Sequence, residues 1–259
     1  MRRRNRTTPT MAISEHELET LTADLDQLHH DVGVPAMRAA VDRLTGEIRT
    51  SRRGFLVGAG AAAAGVVLAA CSSSSGSSTT TTSGPGSSTK ARLTGDLAVA
   101  AVAASLENLA VVAYGDVLTA ASAGKLGTVP PAVATFVTTV KSQHAQHAEA
   151  WNSAITASGH PAITGPDAAL VPTVNSAFAK VTDVTGAAKL ALMLEDIAAA
   201  TYQSAVSGVK AVSSIKVAAS IQPVELQHAA ILNFVLGQYP VPNAFSPLTG
   251  ARSVADYTG

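Results

Sequence analysis

From Lys90 to Gly259 long apolar runs are interrupted only at a few stretches rich in glycine and proline. The runs predict four helices, over 93–125, 131–158, 184–211 and 214–237, with breaks at Gly124–Pro131, Gly159–Asp183 and Val212–Ser213. About thirty residues at ~1.5 Å each makes rods of roughly 35–50 Å, the scale of a four-helix bundle. The second connection is the long one, about 24 residues, with room for a short helix around Ala168–Lys180. A link of that length lets the second and third helices run parallel, in an all-α bundle with one long crossover.

The opening segment has a different pattern. Leu18, Leu21, Leu25 and Leu28, then Met37, Val41, Leu44 and Ile48, recur at steps of three and four. Two short amphipathic helices are expected over 13–48, broken near Gly33–Pro35. His29 and His30 are expected to form a solvated surface pair.

Composition narrows the class. Of 259 residues 47% are hydrophobic and 14% charged, with 18 basic against 18 acidic side chains. A chain without net charge lacks the basic face of a nucleic-acid binder. A single cysteine excludes a disulfide framework or a thiolate zinc cluster. Aromatics are scarce and alanine abundant, which disfavours strands and favours helices. After Cys71 the sequence carries nine Lys/Arg and ten Asp/Glu, so the bundle has weakly polar outer faces open to a further subunit or partner, including a homo-oligomer.

The single cysteine stands at a telling position. Ser51-Arg52-Arg53-Gly54-Phe55-Leu56 leads into an uncharged apolar run that closes on Leu68-Ala69-Ala70-Cys71. Segment 51–71 resembles a twin-arginine export signal fused to a bacterial lipoprotein cleavage site. The resemblance implies Arg52 and Arg53 as the export signal and Cys71 as the lipidated first residue of the mature protein. Residues 72–89 contain only Ser, Thr, Gly and one Pro, the composition of a flexible linker. The expected organisation is a pre-segment over 1–50, the signal over 51–71, the linker over 72–89 and the bundle over 90–259. The mature domain would be anchored by lipid at the outer face of the cytoplasmic membrane. Residues 1–50 then read in two ways: a segment lost on processing, or a start assigned too early, since Met37 leaves a leader of 16 residues before Arg53.

Inside the bundle the sequence echoes itself. Residues 106–114 read LENLAVVAY and 194–202 read LEDIAAATY. Each sets a glutamate seven residues before a tyrosine, within about 20° on one helix face. After the first echo come Gln143, His144 and His147; after the second, Glu225 and His228. Beyond Cys71 there are only four glutamates, Glu107, Glu149, Glu195 and Glu225, and four histidines, His144, His147, His160 and His228. Glu107, Glu195 and Glu225 stand in apolar runs, where an unpaired carboxylate is costly. A shared cation is one answer; mutual pairing of acids, histidines and tyrosines is the other. Glu149 and His160 are read as solvated, Trp151 and Met193 as core. Tyr114 and Tyr202 are read as core residues or as groups that orient a ligand.

A glutamate from each of two helices, with Glu-x-x-His on the others, resembles the ferritin-like superfamily, including rubrerythrin-type proteins and exported bacterial relatives. The resemblance covers roughly 93–238. It implies Glu107, His147, Glu195, Glu225 and His228 as metal ligands, with His144 at the position where the family places the second helix's glutamate. That departure removes a bridging carboxylate and puts a symmetric di-iron centre in doubt. Two functions follow as expectations. One is an exported metalloprotein holding Fe or Mn, with Zn as a further choice, for metal oxidation, sequestration or peroxide protection. The other is a metal-free bundle serving the envelope as a binding or scaffold module.

Overall fold

A computed structural model of the protein describes residues 11–69 and 93–253, the stretch 52–69 by its backbone alone. Among the described residues all regular structure is helical: α1 (Glu15–Leu28), a π-helical turn (His29–Gly33), α2 (Val34–Ala69), α3 (Asp96–Ser122), α4 (Pro131–Ala157), α5 (Val171–Phe178), α6 (Val184–Gly208) and α7 (Val212–Val235). The four long helices of the bundle, α3, α4, α6 and α7, and the short α5 stand where the sequence places them. Cys71 and the linker 72–89 lie outside the described residues, and Arg52 and Arg53 belong to the stretch described by backbone alone.

Local chemistry sets the helix ends. Pro131 opens α4, where a missing N–H costs nothing. Asp183 caps α6 by accepting from the Gly186 N–H at 2.7 Å. Gly159, at φ 84°, reverses the chain after α4, and the His160 N–H reaches back to the Ile155 carbonyl. At the far end Asp96, in the first turn of α3, accepts from the backbone N–H groups of Lys210 and Ala211, both at 2.9 Å. That carboxylate ties the α6–α7 turn to the start of α3.

α3 pairs with α4 and α6 with α7, and the two hairpins meet chiefly through α3 and α6. α3 is long and apolar enough to cross a bilayer, yet 72% of its apolar window is buried inside the bundle. It is a core helix. The amphipathic segment at the start of the chain packs on the bundle too: α1 lies on α4, and α2 on α4 and α7. Leu18 and Leu25 enter a cluster with Tyr114, Phe136 and Val140, whereas Met37, Val41 and Leu44 enter another with Trp151, Ile155, Tyr202 and Ile221. Burying each such side chain contributes about 1.5–3 kcal/mol.

The expected break near Gly33–Pro35 is not a break. The helix runs on through the π turn, closed by a bond from the Val34 N–H to the His29 carbonyl. One extra residue in that turn takes up the Pro35 position, which has no N–H to offer. The turn also rotates His29 inward: it is 2% exposed, which corrects the expectation of a solvated pair, while His30 stays outside.

Candidate metal centre

Midway along the bundle, between the two apolar clusters, six polar side chains meet. Glu107 comes from α3, His144 and His147 from α4, Glu195 from α6, Glu225 and His228 from α7. Each is at most 1% exposed. Both i,i+3 pairs face inward because three residues turn a helix by about 300°, close to one full turn. Glu149, two residues past His147, points outward and is exposed.

The contacts are close. His144 Nδ1 lies 2.7 Å from Glu107 Oε2 and 3.7 Å from Glu225 Oε2, and its Nε2 lies 3.2 Å from Glu195 Oε1. His147 Nδ1 is 2.9 Å from Glu225 Oε1 and 3.6 Å from Glu107 Oε2. His228 Nδ1 is 3.1 Å from Glu195 Oε2 and 3.5 Å from Glu225 Oε2. Two sets of four donors result, Glu107, His144, His147, Glu225 and His144, Glu195, Glu225, His228, each with ligand atoms within 4.8 Å of one another. They share His144 and Glu225.

Tyrosines hold two of the acids. The Tyr114 hydroxyl on α3 donates to Glu195 on α6, and the Tyr202 hydroxyl on α6 donates to Glu107 on α3. Trp151 Nε1 in turn donates to the Tyr202 oxygen at 3.0 Å. Both tyrosines therefore orient carboxylates and also serve as core. Trp151 is buried as expected, and Met193 is half-buried against the cluster that also holds Leu194.

Electrostatics follow from the geometry. Burial opposes ionisation of Glu107, but the hydrogen bond from His144 and the close His147 imidazole overcome it and hold the carboxyl at about 2. Burial likewise opposes charging of His147, yet the close carboxylates of Glu107 and Glu225 raise it to about 9. His144 and His228 are raised against burial chiefly by the charge of Glu195, and Glu195 is lowered against burial by those same two histidines. Without a metal the cluster thus holds protons as its cations.

Those contacts do not satisfy every atom. Both oxygens of Glu225 and both nitrogens of His147 are buried without an aligned hydrogen-bond partner. A lone pair aimed at no donor is costly in a protein interior and fits a coordinated ion. Oxygen and imidazole donors around one point suit Fe, Mn or Zn. The residues present therefore fit a divalent metal.

Two polar neighbours, Gln143 and His29, have roles that the spacing does not predict. Gln143 is buried and accepts from His228 Nε2 at 2.8 Å through its Oε1, while its amide nitrogen donates to Asp26 of α1 at 3.3 Å. His29 rests edge-to-face on His147, ring centroids 5.3 Å apart, and burial with the neighbouring His147 lowers it to about 4. A signal existed for His29: buried Leu18, Thr22, Leu25 and His29 repeat at steps of four, three and four.

An α-helical bundle with acid–tyrosine helices crossed in this way, and Glu/His helices facing them, is a ferritin-like arrangement. A family model described as a ferritin-like domain matches residues 95–238, more than half of the chain, and the protein belongs to that family. No curated protein and no solved structure is similar enough to count as a match.

Proposed function

We propose that the protein is an exported, lipid-anchored ferritin-like protein whose bundle binds Fe or Mn through Glu107, His144, His147, Glu195, Glu225 and His228. The observation that carries the reading is the pair of buried four-donor sets in which Glu225 and His147 have no other aligned partner. Bound iron or manganese would supply redox chemistry suited to metal oxidation or peroxide protection. The chain's own part is to present charge-balancing carboxylates, to hold two of them by tyrosine, and to keep water from the centre. Oxidoreductase activity is one use of such a centre, and sequestration is another.

His144 sets the capacity. Its Nδ1 faces one donor set and its Nε2 the other. A neutral imidazole offers a single lone pair, so it serves one set at a time. Full occupancy of both sets is thereby disfavoured, and one tightly held ion per chain is the expected load.

The second reading, a metal-free envelope scaffold, draws support from the close acid–histidine pairs, above all His144 with Glu107 at 2.7 Å. Elemental analysis of the full chain purified without chelator separates the two. Iron or manganese near one per chain supports the metalloprotein; a metal-free protein unable to take up either ion supports the scaffold.

A further inference from the structure

A histidine ligand needs its outer nitrogen held, because the ring otherwise turns about its own axis and its inner lone pair loses aim. In this centre the inner nitrogen of both His147 and His228 is Nδ1, the atom that faces the carboxylates. The outer nitrogen is Nε2 in each. For His228 the holder is visible: Gln143 Oε1 accepts its Nε2 at 2.8 Å, and Gln143 is itself steadied by Asp26 of α1.

For His147 the outer nitrogen is buried without an aligned partner. The buried imidazole beside the His147 ring is His29, also without an aligned partner on either nitrogen, with the Gln146 side chain as a further polar neighbour. Gly33 contributes to its seat, since a Cβ there would come within 3.2 Å of His29 Nδ1. Two adjacent buried imidazoles, each with unmet nitrogens, can satisfy each other after a small turn of one ring or across one water.

We propose that the N-terminal helical segment, residues 11–50, is the orienting shell of the metal centre, with His29 the positioning residue that accepts the Nε2–H of His147, as Gln143 backed by Asp26 does for His228. This rests on the metal-binding reading above and deepens it. The segment lies on α4 and α7, the two helices that carry the four inner residues His144, His147, Glu225 and His228. It places His29 against the His147 ring and Asp26 against Gln143, the residue that holds His228. Removal of the segment before Cys71 would strip both His29 and Asp26, so the chain that retains residues 11–50 is the form with the better-ordered centre.

The test uses the full chain, stripped of metal and titrated with Co²⁺, whose visible spectrum reports ligand geometry. His29→Leu should weaken Co²⁺ binding by about tenfold, the lower end of the range for lost outer-shell partners, and shift the visible bands. His29→Gln, which keeps an acceptor, should bring affinity back to within about threefold of wild type. The metal-free melting temperature should fall for His29→Leu, since the buried Nε2–H of His147 loses its acceptor, and should be largely kept in His29→Gln. Wild-type affinity and bands in His29→Leu would overturn the proposal while leaving metal binding intact. Equal loss in His29→Leu and His29→Gln would overturn it too, by showing that ring shape and not an acceptor matters. Failure of the wild-type protein to bind Co²⁺ at all would defeat both this inference and the reading beneath it.

Discussion

Tyr202 on α6 donates its hydroxyl to Glu107 on α3, and the α3–α6 pair is closed in the opposite sense by Tyr114 and Glu195. Each glutamate is thus held by the tyrosine of the other helix's echo. The seven-residue spacing within each echo puts acid and hydroxyl on one face, and the packing of α3 against α6 crosses them. The duplicated sequence is thereby also a duplicated set of contacts.

Removing either hydroxyl should destabilise the bundle. Tyr114→Phe and Tyr202→Phe each leave a buried carboxylate short of one donor, at a cost of about 1–3 kcal/mol. Urea unfolding of the metal-free protein should show both losses, the larger for Tyr202→Phe, which also strips the Trp151 Nε1–H of its acceptor. A neutral result for both would mean that the acids are held by histidine alone.

The metal-free protein should be most stable near pH 6.5. His147, His144 and His228 have raised values, so their contribution is complete below the ordinary histidine value of about 6.5 and is lost as pH rises, for His147 through about 9. His29 is depressed to about 4, so the unfolded chain takes its proton first and stability falls from about pH 6.5 downward. Glu107 adds a further loss as pH drops from about 4.3 towards about 2. Melting temperature against pH in the presence of chelator should trace this peak, and His29→Leu should flatten its acid side down to about pH 4.

His144→Glu separates the two states of the centre. Without metal it replaces the imidazole between three buried carboxylates by a fourth acid, and should cost about 3–5 kcal/mol, as for a broken buried ion pair. With metal it restores a carboxylate able to bridge two ions. The variant should therefore melt lower than wild type in chelator, yet hold more metal per chain under identical loading. An unchanged metal ratio would show that His144 does not limit occupancy.

Export is tested at the leader. Cys71→Ala should release the domain from membranes or leave the precursor unprocessed, and Arg52→Lys with Arg53→Lys should block export. Unchanged membrane association and processing in the first case, or normal export in the second, would reject the assignment.

Much of this was legible from spacing. Helix limits followed from apolar runs and their Gly/Pro breaks, and the six central residues from the rarity of Glu and His within those runs. The packing of α1 and α2 was not legible, because an amphipathic stripe says that a face is buried but not against what. His29 and Gln143 were missed for a related reason. Their roles depend on which surface of α4 the N-terminal helix covers, and a polar residue next to a ligand motif has the same sequence signature whether it turns in or out. The π turn is a geometric event at Gly33–Pro35, and residues that normally end a helix instead widened it by one residue.

The most direct measurement is a comparison of bound iron and manganese, by elemental analysis, in the full wild-type chain and in Glu225→Ala combined with His228→Ala, prepared side by side without chelator. Both substituted groups lie on one turn of α7 and face both donor sets or the second of them. The account predicts close to one ion per wild-type chain, almost none in the double variant, and a wild-type melting temperature that falls when the ion is removed. Equal metal in the two proteins, or none in either after loading, would contradict it.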